Sequence, residues 1–245
     1  MKDLIVICAP DTSERGTEVH FASLFRQLHW VVPPHMGLGE DNAKPNENTV
    51  LLFEGGTDIN PLLYDEQPAS GTQKPDYERD KHEILQFKLA IEAKAPMIGI
   101  CRGAQLLCAL NGGKLIQHVN GHSNAGYRHR MQLPKCFKNE WIEVTSAHHQ
   151  MMNPYNLPQE AWKSLGHVPH PQSNKYWGPN GKIKVHKLYN DFKEQEIIWF
   201  PNTKCLCIQG HPEYIQSPQN AFVQYCRMLV RILILGEKSS YDILA

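Results

Sequence analysis

The sequence predicts an open, mostly parallel α/β sheet with helices on both faces. Three observations carry that fold class. Short apolar runs alternate with segments of helical spacing, the default signature of parallel strands joined by right-handed crossovers. Each run is short enough to be a buried strand. Three positions suited to chemistry, Gly55-Gly56, Cys101 and His211, each follow a predicted strand, as ligand-binding positions do at the carboxyl ends of open α/β sheets.

The elements follow in chain order. Leu4-Ile5-Val6-Ile7 reads as a strand, about Glu18 to Leu28 as a helix with Val19, Ala22, Phe25 and Leu28 on one face, and Trp30-Val31-Val32 as a second strand. Pro33 to Asn48, with Gly37, Gly39, Pro45 and several Asn, reads as an exposed connection. Val50-Leu51-Leu52-Phe53 is the third strand. Ile84, Phe87, Leu89 and Ile91 mark an amphipathic helix after the charged start at Asp80, and Met97 to Ile100 is the next strand. Between Asn111 and Asn202 the periodicity weakens into loops and short strands. From Pro218 to Leu235 an apolar stripe, Ala221, Phe222, Tyr225, Met228, Leu229, Ile232 and Leu235, marks a packing helix.

Composition narrows the class of protein. With 245 residues the chain can bury a large core, and residues 1–245 read as a single domain. Lys plus Arg equals Asp plus Glu, so charge gives no case for nucleic-acid or membrane binding. The start of the chain lacks the basic region and long apolar core of a signal peptide. Seven cysteines without C-x-x-C spacing fit reduced thiols and a cytoplasmic setting, with Cys205 and Cys207 as packing residues on one strand.

One of those cysteines stands apart. In Gly99-Ile100-Cys101-Arg102-Gly103-Ala104-Gln105 a strand turns into a helix, and glycines two residues either side of Cys101 allow a turn too sharp for other side chains. A thiol at a helix N-terminus has its thiolate favoured by the dipole and the free N–H groups. On this segment alone, a reactive thiol and a buried packing cysteine are evenly matched. Downstream, Gln209-Gly210-His211-Pro212-Glu213 supplies what thiol chemistry needs: a histidine to move a proton and a carboxylate to hold its tautomer.

Four motifs in order complete the pattern: Phe53-Glu54-Gly55-Gly56-Thr57-Asp58-Ile59-Asn60-Pro61-Leu62-Leu63-Tyr64, Arg79-Asp80-Lys81-His82-Glu83, the Cys101 segment, and Ser146-Ala147-His148-His149-Gln150 with Gln209 to Glu213. On these the chain resembles the class I glutamine amidotransferase-like superfamily, whose fold is flavodoxin-like. Within it, the chain is most similar to the γ-glutamyl-γ-aminobutyrate hydrolase group, cysteine peptidase family C26. The resemblance implies a catalytic triad of Cys101, His211 and Glu213. It implies an oxyanion hole from Gly55, Gly56 and the backbone N–H of Arg102, whose residue matters chiefly through that group. It places Gln105, His148, His149 and Gln150 near the glutamyl moiety. Arg79 and Asp80 match a pair that is pocket-lining or structural, and Asp80 reads equally well as an N-cap with Glu83 three residues on. Asp58 and Tyr64 are candidates for holding the glycine loop.

The expected reaction is hydrolysis of a γ-glutamyl amide through a thioester on Cys101, with a small-molecule γ-glutamyl substrate and no cofactor. One alternative is a glutaminase subunit that passes ammonia to a separate synthetase. A second is a non-catalytic binding protein on the same fold. His118, His122, His129, His148, His149, His167 and His170 cluster in sequence, but their spacing gives no closed metal set, and none is assigned to a metal. Three departures from the family pattern, Glu54, Thr145 and the His/Tyr/Trp-rich stretch 163–191, leave the leaving amine open.

Overall fold

The structure, a computed structural model, describes residues 2–7, 24–31, 45–123, 127–137, 140–185 and 191–244. Most of the expected 18–28 helix and of the 33–48 connection, with Val32, lies outside these. Leu24, Phe25 and Leu28, at the end of that helix, are described and buried.

Four strands precede the site cysteine or lead into it: β1 (Asp3–Ile7), β2 (His29–Val31), β3 (Thr49–Phe53) and β4 (Met97–Ile100). The middle of the chain adds β5 (Lys114–Ile116), β6 (His118–Val119), β7 (Tyr127–Gln132), β8 (Trp141–Ser146) and β9 (Met151–Asn153). After them come β10 (Lys163–His167), β11 (Tyr176–Gly178), β12 (Gly181–Lys182), β13 (Gln195–Phe200) and β14 (Cys205–Ile208). The α-helices among the described residues are α1 (Tyr77–Glu92), α2 (Arg102–Leu110) and α3 (Ala221–Leu229).

The expected open α/β sheet is present, with nine strands among the described residues in the order β2-β1-β3-β4-β14-β13-β10-β7-β8. Pairing is parallel from β2 to β14 and antiparallel from β14 to β8. The expected parallel order therefore describes the half that carries Gly55, Cys101 and His211, and the other half is antiparallel. That second half comes from the region of weak periodicity. Its strands β7, β8 and β10 carry polar residues or glycine at half or more of their positions, as in Tyr127-Arg128-His129-Arg130-Met131-Gln132, so the apolar signal is diluted. The small sheet β12-β11-β6 and the ribbon β5-β9 lie outside the main sheet.

The period of two along a strand sends neighbours to opposite faces. Val50, Leu52, Ile98, Ile100, Leu206 and Ile208 pack on one side with Phe222, Val223 and Cys226 of α3. Leu51, Phe53, Met97, Cys205 and Cys207 pack on the other with Ala104, Leu106 and Leu107 of α2. Both downstream cysteines are thus core residues, as expected. Helix α3 is capped by Asn220, whose side chain accepts from the Phe222 and Val223 N–H groups, and it runs on through a π-helical turn at Val230–Ile234.

Helix α1 corrects two expectations. Its N-cap is Asp76, whose carboxylate accepts from the Arg79 N–H at 3.0 Å, so Asp80 is not the cap. Its fully buried face is Arg79, Asp80, Glu83, Gln86 and Ala90; of the expected apolar stripe, Ile84, Phe87 and Leu89 are half-buried, with Phe87 packed against the core, and Ile91 is exposed. The helix presents a charged face to the interior because the charges are paired there. No helix among the described residues is long and apolar enough to cross a membrane.

Candidate active site

Strand β4 is buried along its length and ends where Cys101 takes φ 50° and ψ −107°, a conformation that strains any non-glycine residue. The turn is pinned by the Cys101 N–H, which donates to the Ile208 carbonyl of β14 at 2.8 Å. The flanking glycines are required by packing. A Cβ at Gly99 would sit 2.6 Å from the Gly103 and Ala104 backbone. One at Gly103 would sit 2.5 Å from the Phe53 carbonyl carbon and closer still to its oxygen.

His211 and Glu213 come to this turn from the end of β14. His211 Nδ1 lies 2.6 Å from Glu213 Oε1, which leaves Nε2 for other chemistry. Burial lowers the His211 pKa, but hydrogen bonds to the Cys101 thiol and to Glu213 outweigh it and push it up to about 10. Three further residues hold this group, and the sequence analysis did not assign them. Thr145, noted only as a departure from the family pattern, accepts the His211 N–H at 2.7 Å. Tyr214 stacks on the imidazole at 4.4 Å with the rings 1° from parallel. Gln209 directs its amide nitrogen at Cys101 Sγ, 3.9 Å away. Gln209 lies inside the matched motif, which was the signal available.

A histidine whose pKa is raised on folding stabilises the protein fully below its unfolded value, about 6.5. That contribution is lost as pH rises through the folded value, because in this window the native state binds more protons. Wild type should therefore lose stability between about pH 6.5 and 10 more steeply than His211→Asn. Denaturant midpoints at pH 7, 8.5 and 9.5 check this, and parallel slopes for the two proteins would refute it.

The glycine loop is built from behind. Arg79 Nη2 donates to the carbonyls of Glu54 at 3.2 Å and Gly55 at 3.0 Å. In planar trans peptides the next N–H points the opposite way, so the Gly55 and Gly56 N–H groups face away from Arg79. Gly55 borders the site directly: a Cβ there would lie 3.1 Å from His211 Cε1 and 3.7 Å from Cys101 Cβ.

Arg79 belongs to a buried network with Arg102, Asp80 and Glu83. Arg79 Nε pairs with Glu83 Oε1 at 2.9 Å, Arg102 Nη1 with Glu83 Oε2, and Arg102 Nη2 with Asp80 Oδ1 at 2.5 Å. Asp80 also accepts the Asn60 N–H at 2.9 Å, and Arg102 Nε donates to the Thr57 carbonyl at 2.9 Å. This corrects the expectation that Arg102 matters chiefly through its backbone. Its side chain ties the first turn of α2 to both α1 and the glycine loop, and of the two readings of Arg79 and Asp80 the structural one applies.

The remaining expected site residues are held mainly by protein partners. Gln105 Nε2 donates to the Gln150 carbonyl at 3.0 Å and to Gln209 Oε1 at 3.4 Å. His148 is buried, its Nδ1 donates to the same Gln150 carbonyl at 2.8 Å, and burial lowers its pKa to about 3. His149 is half-buried and pairs with Asp58 at 3.0 Å, which raises its pKa. Asp58 also accepts the Gln73 N–H, so it braces the loop after the glycines. The side-chain amide of Gln150 is buried with neither polar atom partnered. Among the described residues, one group has metal-ligand proximity: His122, His129 and Glu196. Glu196 is the member that histidine spacing alone did not reveal.

A family profile described as Peptidase C26 matches residues 46–168, which include the glycine loop, Cys101 and His148 to Gln150 but not His211. Protein NtpR of Enterococcus hirae is 33% identical over 157 residues, 62% of this chain and 65% of that protein. The YvdE homolog of Lactococcus lactis subsp. cremoris, named as glutamine amidotransferase-like, is 36% identical over 107 residues, 42% of this chain. The matched stretches span 31% of YvdE from Lactococcus lactis subsp. lactis and 56% of that homolog. The carbamoyl phosphate synthase small chain of Streptococcus agalactiae is 24% identical over 195 residues, 80% of this chain and 42% of that one. In fold, the chain is similar to the glutaminase domain of Trypanosoma brucei CTPS, with TM-score 0.57, 11% identity and coverage of 99% and 97% of the two chains. It is also similar to a glutamine amidotransferase of Thermotoga maritima, with TM-score 0.54, 14% identity and coverage of 96% and 89%. Its sequence motifs, its open α/β sheet and the profile match agree, and the chain belongs to the Peptidase C26 family of the class I glutamine amidotransferase-like superfamily.

Proposed function

We propose that this protein is a cysteine-dependent amidohydrolase that cleaves the γ-glutamyl amide bond of glutamine or a γ-glutamyl amine. The observation that carries the reading is Cys101 on a strained strand-to-helix turn, with the His211 imidazole beside it at Gly55 and that ring's Nδ1 held by Glu213.

His211 Nε2 takes the thiol proton, and the sulfur attacks the side-chain carbonyl of the substrate. The oxyanion that forms is met by the N–H of Arg102 and those of the Gly55-Gly56 loop, where no Cβ blocks the approach. His211 returns its proton to the leaving ammonia or amine as the C–N bond breaks, leaving a γ-glutamyl thioester. Water, deprotonated by His211, then attacks the thioester, releasing glutamate and restoring the thiol. Gln105 and the His148-His149-Gln150 segment form the glutamyl pocket in this reading. The unpartnered amide of Gln150 supports it.

A second reading, an ammonia-supplying subunit for a separate synthetase, is favoured by the likeness to the carbamoyl phosphate synthase small chain. It predicts weak glutaminase activity alone and a rise on mixing with that partner.

Incubation with glutamine and a panel of γ-glutamyl amines tests the main reading. Cys101→Ala should lower amine release by at least about a thousandfold. Equal release from wild type and variant would overturn it. Iodoacetamide should label Cys101 faster than the more accessible Cys136 at neutral pH, whereas Cys108 is buried with its thiol pushed up to about 12. Equal rates at Cys101 and Cys136 would remove the activated thiol.

A further inference from the structure

Behind the HHQ segment lies a buried group of titratable side chains that the proposed mechanism does not use. We propose that His122, His129 and Glu196 form a site for a divalent transition-metal ion of the zinc class.

The three come from separate elements: the turn after β6, strand β7 and strand β13. Their ligand atoms nevertheless lie within 4.8 Å of one another, and all three residues are buried. A tetrahedral zinc ion with arms of about 2.0–2.1 Å holds its donors about 3.3 Å apart. His129 Nε2 and Glu196 Oε1 are already 2.8 Å apart, so assembly requires shifts of roughly an ångström, mainly by His122. Two imidazoles and a carboxylate are a donor set that first-row divalent ions favour.

Charge and hydrogen bonding point the same way. Glu194 and Glu196 are both buried, and among the described residues neither pairs with Lys or Arg. Glu194 is fully engaged: it faces His122 Nε2 at 3.3 Å and accepts from the Gln172 N–H, the Ser173 N–H and the Tyr176 hydroxyl. It thus stands as the outer carboxylate that orients a metal-binding histidine, which leaves His122 Nδ1 as the ligand atom; that nitrogen lies 3.0 Å from Ser146 Oγ and exchanges this contact for the ion. Glu196 differs, because its Oε2 is buried with no partner. An unpaired buried carboxylate oxygen is costly, and a cation satisfies it. His148, whose ring lies 4.6 Å from that of His122, also has a buried, unpartnered Nε2. Hydrogen bonding between His129 and Glu196 alone leaves both of these atoms unsatisfied.

The ion would brace the site rather than join the reaction. The His122 carbonyl accepts from both Ser146 Oγ and the His148 N–H, and the Glu196 carbonyl accepts the Gln209 N–H.

The test is metal content. Protein refolded with Zn²⁺ and dialysed against a chelator should retain about one zinc per chain, and release it to a chromogenic chelator only on unfolding in guanidinium. Cys101→Ala should retain the same amount, since a thiol–imidazole pair also binds zinc. His129→Gln and Glu196→Gln should each reduce retained zinc at least tenfold while keeping the far-UV spectrum. Less than about a tenth of an ion per wild-type chain overturns the proposal, as does full retention by both glutamine variants. If those variants fail to fold, the wild-type and Cys101→Ala contents decide.

Discussion

Replacing Glu83 by alanine is expected to cost about 3–5 kcal/mol of stability, the typical effect of removing one partner from a buried ion group. Glu83 has no exposed surface, and its two oxygens serve two different guanidinium groups, Arg79 and Arg102. Without it, Asp80 still pairs with Arg102, but the buried Arg79 loses its carboxylate and is left with the Glu54 and Gly55 carbonyls. Glu83→Gln does not restore the network, because its amide NH₂ would face a donor. Guanidinium denaturation with an unchanged m-value measures the loss. Asp76→Ala on the same helix calibrates it, since a lost N-cap costs about 1 kcal/mol. A Glu83→Ala cost no larger than that of Asp76→Ala would show that the network contributes little. The change should also lower any amidohydrolase activity, since Arg79 orients the glycine loop.

Replacing Gly103 by alanine should cost about 3 kcal/mol or more, at the upper end of overpacking effects. The obstacle to the added methyl is the Phe53 carbonyl in the centre of the parallel half of the sheet, which cannot swing aside as a long side chain would. Helix α2 would have to back away from β3, carrying Arg102 from Asp80 and Glu83 and loosening the Cys101 turn. Two readouts separate this from a simple loss of folded protein. The thermal midpoint should fall, and the iodoacetamide rate at Cys101, measured well below that midpoint, should fall with it. A variant with wild-type midpoint and wild-type thiol reactivity would show that the helix and strand can part without consequence.

What could be read before the fold was known follows from local rules. Strands β3, β4 and β14 are short apolar runs, and their alternation places Cys205 and Cys207 together on one core face. The Cys101 turn was legible because only glycine fits two residues either side of it. His211 and Glu213 were legible as a histidine and a carboxylate close in sequence, but the chain between them enters the 3-10 turn Pro212–Tyr214 rather than running extended. By contrast, the apolar pattern gave only part of α1, where Phe87 packs on the core but Ile91 is exposed. Its fully buried side is mainly ionic, and the partners that make this tolerable come from the start of α2. The antiparallel half of the sheet was also hidden, since β7, β8 and β10 are polar or glycine at half or more of their positions and offer no apolar run to read.

The sequence by itself therefore determined the α/β class, the thiol turn and the order of Cys101, His211 and Glu213. These depend on residue type and on neighbours within a few positions. Only the tertiary structure decided that the Arg102 side chain anchors the site, that Thr145, Gln209 and Tyr214 surround the His211–Cys101 pair, and that Glu196 joins His122 and His129. Those contacts join residues mostly separated by dozens of positions, and each is made only when burial removes water and leaves the polar groups no other partners.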